Sequence, residues 1–388
     1  MRIGIDARTI LNPEKGDAIG VGHYTYQLIR HLLEIDKENE YVLFFDFRVR
    51  EKDVKKFSQP NVKIRFYPFS DYKKYLPGVY NEILGSAILS KEKLDLIHTT
   101  SHASRIPVSY RGKTIVTIHD LAVYKLKDVF PSLFQAKNKA LISLMVSKAK
   151  KVIAVSQSIK NDLQSILKCP EDKIQVIYSG FDKRMFENPE VDRQKVLDKY
   201  AIKDKYMLFL GTLEPVKNIT RLLEAFKIFK ERNKKDKIAG NYKLVLAGKR
   251  GWLAKEYRQI AKDLGLIKDV IFTGYVIGDD LVPLFHNADF FVMPSLYEGF
   301  GTTVLEAFAT GTPAIVSNVS SIPEIAGDAA ELVNPIDVQN IAQAMIKFSR
   351  NEELKQTYRE KGRRQLEKFN WEKCAWETLE VYKSLKNG

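Results

Sequence analysis

Cysteine is almost missing: the 388 residues hold two, Cys169 and Cys374, in unrelated segments without paired spacing. That excludes a disulfide framework and a cysteine-held metal, and it points to a reducing compartment, by default the cytoplasm. No uninterrupted apolar stretch reaches the roughly eighteen residues that a membrane-crossing helix needs. The start, Met1 to Asp6 (MRIGID), meets charge at once and reads as a buried strand rather than a signal peptide. There is no Asp-x-Asp, since Asp279 and Asp280 are adjacent, so chelation of a metal by that motif has no support. A P-loop ending is suggested by Gly112, Lys113 and Thr114, but Pro107 stands where the first glycine must be. Neither a Gly-x-Ser-x-Gly elbow nor a zinc-spaced His/Cys cluster occurs. No metal and no cofactor are therefore expected.

What is present is an ordinary globular composition, 45% apolar, in a chain long enough for two cores. Charge is uneven. Residues 1–180 carry 29 Lys and Arg against 19 Asp and Glu, a net of +10 out of the total +14. Such a basic half suits an anionic partner, while a merely solvated surface explains it equally well. Apolar runs of strand length alternate with segments of helical period, the pattern of βαβ units and parallel sheets. Strands are expected at 2–6, 41–46, 62–67, 94–98, 114–118, 151–155 and 174–178, with helices at 23–35, 133–148 and 157–167. After a polar stretch at 181–204 the pattern restarts. Strands then follow at 206–211, 242–247, 270–273, 289–293, 313–317 and 330–333, with helices between them at 219–233, 253–264, 279–286, 303–310 and 337–349. The fold expected is α/β: two doubly wound Rossmann-like domains, 1–180 and 205–370, facing each other across a cleft and joined by a linker at 181–204. Ligands in such sheets sit beyond the carboxyl ends of strands, so the loops there are where chemistry belongs.

Four such loops stand out. PSLYEGFGTTVLEAFATGTP (294–313) is a strand end, a turn with two glycines and a short helix that Thr302 or Thr303 could cap, stopped by Gly311. The amides at that helix start suit an anion, and Glu298 and Glu306 flank it as acceptors for hydroxyl protons. A plain strand-turn-helix with solvated glutamates explains the spacing about as well. GTLEPVKN (211–218) places Lys217 at another helix mouth, with Asn218 as the cap candidate. Gly20 and Gly22, preceded by Gly16, open helix 23–35, but the third glycine of a dinucleotide fingerprint is missing at the right spacing, and a tight turn explains them better. His119 and Asp120 close the strand TIVTI; the imidazole either faces ligand or is a satisfied structural group, and His98 and His102 carry the same two readings.

Taken together and in order, these runs resemble family-4 retaining glycosyltransferases of the glycosyltransferase B fold. The resemblance rests on the Glu-x7-Glu spacing of Glu298 and Glu306, on GTLEPVKN, on LAGKRGW (246–252), TIHD (117–120), Val155 with Ser156, and SIPEIAG (321–327). The start Asp6-Ala7-Arg8 and the GKRGW run are most similar to bacterial mannosyltransferase-type members. The resemblance implies that Glu298 holds donor-sugar hydroxyls and Glu306 the ribose. Lys217 would neutralise the diphosphate, with amides near Thr302 and Thr303 and the glycine turn of Gly299, Phe300 and Gly301. His119 would contact the transferred sugar near the attacking hydroxyl, with Gly20 and Gly22 closing beneath. Backbone at Tyr275 and Val276 would meet the nucleobase, and a last helix at 371–388 would pack back on the first domain. Thr212 and Val216 stand where many members carry arginine, so Lys249 or Arg250 is the alternative cation. Thr302 and Thr303 replace the usual Leu/Ile-Pro, and Ser179 with Gly180 replaces Asn-Gly.

The activity implied is retaining, metal-independent transfer of a hexose, most of all mannose from GDP-mannose, to a glycan or lipid-linked acceptor. A UDP-sugar donor is the alternative, and a nucleotide-sugar epimerase or phosphorylase on the same fold is a further one. A non-catalytic binder of nucleic acid or an anionic surface is the reading from another class, but interleaved aromatic and basic residues on one face are not evident, so no nucleic acid is expected. Peripheral contact with the inner face of the membrane is suggested by the basic half, by Lys73 and Lys74 among Tyr72, Tyr75 and Leu76, and by the stripe Leu141, Ile142, Leu144 and Met145 between Lys137 and Lys148, a stripe that the core claims at least as well.

Overall fold

The computed structural model describes residues 1–11, 20–67, 81–102, 106–127, 129–183, 186, 192–236, 239–249, 251, 254–276 and 278–386. The chain divides into two compact units, Met1–Gly180 with Asn370–Gly388, and Phe181–Phe369. Each is built on one wholly parallel sheet flanked by helices.

The first sheet has seven strands: β1 (Arg2–Asp6), β2 (Glu40–Asp46), β3 (Val62–Tyr67), β4 (Leu96–Thr99), β5 (Lys113–Ile118), β6 (Lys151–Ala154) and β7 (Ile174–Val176). Their order is β3-β2-β1-β4-β5-β6-β7, so the direction of winding reverses between β1 and β4. Ile5 lies opposite both Leu43 and His98 in that register. Buried strands in a doubly covered sheet read as continuous apolar runs, which is why RIGID and YVLFF announced themselves. The helix Gly20–Ile35 buries Leu28, Ile29 and Leu32 against this sheet. The last helix, Trp371–Ser384, packs on it with Ala375 and Tyr382 in the same core.

The second sheet contains β8 (Tyr206–Leu210), β9 (Lys243–Ala247), β10 (Val270–Gly274), β11 (Phe290–Met293), β12 (Ala314–Ser317) and β13 (Glu331–Val333). The order is β10-β9-β8-β11-β12-β13, with the reversal between β8 and β11. Phe209, Phe226, Phe229, Phe290 and Phe291 are fully buried around it. The segment expected as a linker lies inside this unit. Its helix Arg193–Lys199, capped by Asp192, ends at Lys199 and Tyr200, which both reach Asp280 at 2.5 and 2.7 Å.

One other expectation is corrected, and one open pair of readings is decided in part. The helix expected from residue 23 begins at Gly20, so Gly20 and Gly22 form its first turn rather than a loop before it. The apolar stripe of the helix Ser132–Lys148 goes largely to the core: Ile142, Met145 and Val146 are buried, and the Lys148 ammonium is tied to the carbonyls of Pro107 and Val108. The segment around Lys73 and Lys74 lies outside the described residues, as do Gly16, Arg250 and Trp252.

Candidate functional site

Ligands in open parallel sheets collect where the winding reverses, because the loops on either side of that point part and leave a crevice. In the second unit those loops are 211–218, after β8, and 294–301, after β11. A hydrogen bond from the Leu296 amide to the Val216 carbonyl, 2.8 Å, ties them together. Asn218 adds two more ties, since its side-chain amide donates to the carbonyls of Pro294 (3.0 Å) and Pro335 (2.6 Å). Asn218 thus stands at the start of the helix Ile219–Arg232 in a left-handed conformation, φ 61°, without capping it through its side chain. Asparagine tolerates that conformation better than most residues. The expected cap is instead a clamp between loops.

The clamp brings together two residues 81 positions apart: the Lys217 ammonium donates to Glu298 Oε1 at 2.6 Å. The Ser295 hydroxyl donates to the same oxygen at 2.7 Å. The lysine and glutamate side chains are 19% and 12% exposed, so the pair is largely withdrawn from water yet reachable. The turn that carries Glu298 is braced from the loop after β12. The Glu298 amide donates to Ser320 Oγ (2.9 Å), and the Ser321 hydroxyl is shared between the carbonyls of Glu298 (2.9 Å) and Phe300 (3.0 Å). Sequence reasoning missed Ser320 and gave Ser321 no role beyond opening the SIPEIAG run, although their position just past a strand end was the available signal.

Gly299 and Phe300 are buried in this turn, and Gly301, at φ 95°, occupies the N-cap of the helix Thr302–Ala309. Thr302 and Thr303 therefore lie within the first turn and neither caps it; the Thr303 hydroxyl approaches Met293 Sδ at 3.1 Å. With a glycine at the cap, the cap residue offers no side chain to the first amides of the helix. One turn further, Glu306 is buried, and its Oε2 has no hydrogen-bond partner among the described residues. Burial pushes its carboxyl up to about 7. A carboxylate kept dry and unpaired at a helix start is poised to accept from a ligand hydroxyl.

The glycines of the run after β9 are there for space. A Cβ on Gly248 would sit 1.9 Å from the Gly211 carbonyl oxygen, and one on Gly251 would sit 2.3 Å from that of Leu213. The close approach is sealed by bonds from Gly211 N to Ala247 O and from Leu213 N to Lys249 O. Lys249 is exposed beside half-buried Thr212, whereas Val216 is a core residue. Tyr275, half-exposed, and Val276, buried, follow the end of β10, whose Gly274 carbonyl accepts from the Gly248 amide.

The reversal in the first unit is furnished differently. Asp6, at the end of β1, is neutralised by a two-pronged bond from Arg8, 2.8 and 2.5 Å. His119, just past β5, places its Nε2 2.7 Å from the Thr100 carbonyl. A carbonyl only accepts, so the proton is on Nε2 and Nδ1 carries the lone pair, without a partner among the described residues. Burial holds this imidazole down to about 4, so it is neutral near pH 7. His98 is the structural histidine of the three. It is fully buried in β4, with Nδ1 on the Tyr382 hydroxyl (2.7 Å) and Nε2 on that of Thr117 (2.8 Å). His102 leaves a buried Nδ1 without a partner among the described residues, and burial lowers its affinity for a proton. Gly20 is exposed and Gly22 half-buried at the neighbouring helix start.

Among the described residues no cluster of His, Cys, Asp and Glu could hold a metal ion, and no helix is long and apolar enough to cross a membrane. The profile of the family Glycosyl transferases group 1 matches residues 192–365, and that of Glycosyltransferase Family 4 matches residues 19–184. The chain is 26% identical over 381 residues to O-antigen chain mannosyltransferase B of Escherichia coli, covering 96% of this chain and 98% of that one. It is 30% identical over 314 residues to an uncharacterized glycosyltransferase of Methanocaldococcus jannaschii, covering 76% and 77%. Among solved structures, the sucrose-phosphate synthase of Thermosynechococcus elongatus superposes with a TM-score of 0.74 at 21% identity, over 100% of this chain and 99% of that one.

Proposed function

Since the chain belongs to the family-4 glycosyltransferases and is a glycosyltransferase of the B fold, we propose that it is a retaining, metal-independent hexosyltransferase that moves mannose from GDP-mannose to a glycan or lipid-linked acceptor. The observation that carries this reading is the constellation at the β8–β11 reversal: one ammonium, Lys217, beside one reachable carboxylate, Glu298, and one dry carboxyl, Glu306. That set matches a ligand joining a diphosphate to two polyols.

Lys217 stands at the diphosphate. Charge grows there as the sugar–phosphate bond breaks, so a fixed cation lowers the barrier more than it tightens ground-state binding. The uncapped amides at Thr302 and Thr303 point the same way, and Lys249 is the further cation that can reach a phosphate in place of an arginine at position 212 or 216. Glu298 exchanges its bond from Lys217 for sugar hydroxyls, and Glu306 takes the ribose. The turn of Gly299, Phe300 and Gly301 follows the donor backbone, and Tyr275 and Val276 meet the base. His119 accepts a hydroxyl proton of the transferred sugar at Nδ1, near Gly20 and Gly22. Among the described residues no carboxylate stands out as a nucleophile, which favours same-face attack by the acceptor hydroxyl. Mannose is supported by the likeness to a mannosyltransferase along almost the whole chain and by the Asp6-Ala7-Arg8 start with the GKRGW run.

A transfer assay tests all of this at once. GDP-mannose and UDP-glucose are offered with and without EDTA, and the anomeric configuration of the product is read by NMR. An α-mannoside formed from GDP-mannose at an undiminished rate in EDTA is the expected result. A preference for the UDP donor overturns the base and sugar together; loss of activity restored by Mn²⁺ overturns metal independence.

A specific observation also favours an anionic membrane surface as the place where a lipid-linked acceptor is met. The helix Ser132–Lys148 contains no acidic residue, and at its start Leu133 and Phe134 are 82% and 50% exposed, with Phe130 stacked on Phe134. Each basic residue near such a surface contributes about 1 kcal/mol. Co-sedimentation with anionic vesicles at low salt, released at high salt, is expected; protein that stays in the supernatant at low salt excludes this site of action.

A further inference from the structure

Tyr24 and Thr25 follow one another on the helix Gly20–Ile35, and both act on His119. The buried Tyr24 ring meets the imidazole edge to face, with centroids 4.7 Å apart and planes at 83°. The same ring packs against Trp371, the first residue of the last helix, at 5.8 Å. Thr25 is fully buried, its hydroxyl 2.8 Å from those of Thr9 and Thr100. The Thr100 hydroxyl in turn donates to the Asp6 carbonyl at 3.1 Å, and the Thr100 carbonyl takes the Nε2 proton of His119. Two consecutive side chains thus hold one imidazole, the first by its face and the second through the backbone that fixes its proton.

We propose that Tyr24 is a positioning residue for sugar transfer: its ring covers one side of the half-buried His119 imidazole and holds its orientation, while Thr25 secures the carbonyl that fixes the proton on Nε2. The inference rests on the reading of His119 as the group that contacts the transferred sugar. A neutral imidazole with one defined tautomer offers a single acceptor, Nδ1; an imidazolium offers none, and a mixed tautomer offers it part of the time. The groups around His119 act in both directions. His102 lowers its proton affinity, Asp120 and the Thr100 carbonyl raise it, and His98 is itself affected by it, but burial is the largest influence. Removing the ring removes part of that burial, so the imidazole must move up toward its ordinary value.

The test reads the imidazole directly, by ¹⁵N NMR of the full-length, ligand-free protein labelled at histidine, with His119→Gln identifying the signal. In wild type, His119 is expected to be a single Nε2–H tautomer, neutral down to about pH 5. Tyr24→Phe, which keeps the ring, should match it. Tyr24→Leu should titrate about one pH unit higher or more, and the acid limb of kcat should move in the same direction while KM for the donor is unchanged. Thr25→Val should admit the Nδ1–H tautomer with the ring in place. A folded Tyr24→Leu protein with the wild-type titration overturns the proposal, and so does a Tyr24→Phe effect as large as that of Tyr24→Leu. If Tyr24→Leu does not fold, Thr25→Val decides, and an unchanged tautomer there is the contrary result. An unmoved acid limb in Tyr24→Leu, with His119→Gln impaired, also overturns it. His119→Gln at full rate overturns instead the reading of His119 on which the proposal rests.

Discussion

Both sheets reverse their winding once, yet the two reversals carry opposite chemistry. In the second unit the loops at β8 and β11 bring together an ion pair, Lys217 with Glu298, and the helix that follows holds the buried Glu306 carboxyl, whose Oε2 has no partner among the described residues. In the first unit Asp6, at the end of β1, is paired with Arg8, and the described groups beside it include the neutral His119 and the hydroxyls of Thr9, Thr25 and Thr100. On the proposed function, the same topology serves once for the ionic part of the donor and once for its polyol part. Fixed charge selects phosphate, because a low-dielectric crevice magnifies it; neutral donors and acceptors select hydroxyls, because they demand no counter-charge.

The sharpest way to break that contrast is at Lys217. Lys217→Ala removes the cation and leaves Glu298 without that partner; if Lys217 stands at the diphosphate as proposed, kcat should fall by roughly 10²–10³. Steady-state kinetics check this, and a change confined to KM would mean that the lysine binds substrate and transition state alike.

A smaller effect sharpens the comparison from the glutamate side. Glu306 is held at about 7 against an ordinary 4.5, so the folded, ligand-free protein keeps a proton that the unfolded chain releases. The stability linked to it is complete below about pH 4.5 and is lost as the pH rises through 7, up to about 3 kcal/mol by pH 8. Glu306→Gln should therefore be more stable than wild type at pH 8, with the difference vanishing near pH 4, while losing affinity for the donor. Urea unfolding at the two pH values measures it, and an equal difference at both would show that Glu306 is already ionised and paired.

The contrast itself was only half legible in the sequence. Strands announced themselves because sheets covered on both faces demand unbroken apolar runs, so β1 to β13 fell within a few residues of expectation. The helix Glu352–Leu366 did not, because its buried face is made of Lys355, Gly362, Gln365 and Leu366. Lys355 is buried on an ion pair with Asp289 at 2.7 Å, and Gly362 is small because a Cβ there would meet Phe308 at 2.9 Å. Pattern reading scores such residues as surface. At the site, Lys217, Glu298, Glu306 and His119 were found by type and by place after a strand. Their supports were not, because Ser320, Ser321, Thr25 and Thr100 come from other loops and helices, and only the register of the sheets brings them close. The caps were only partly foreseen for a related reason: Asn218 does occupy an N-cap, but without a capping bond, and Gly301 rather than a threonine occupies the other. Gly301 and Asn218 adopt left-handed backbone at the helix starts, freeing Thr302 and Thr303 from capping and Asn218 to clamp two loops.

The division of labour between the two reversals is tested most directly by calorimetric titration of GDP into wild type, Lys217→Ala and His119→Ala. GDP carries the diphosphate and the ribose but no transferred sugar. Its affinity should fall by about tenfold to a hundredfold in Lys217→Ala, the loss of a charged hydrogen bond, and stay at the wild-type level in His119→Ala. An equal loss in both variants, or none in Lys217→Ala, would contradict the assignment of charge to phosphate and neutral groups to sugar.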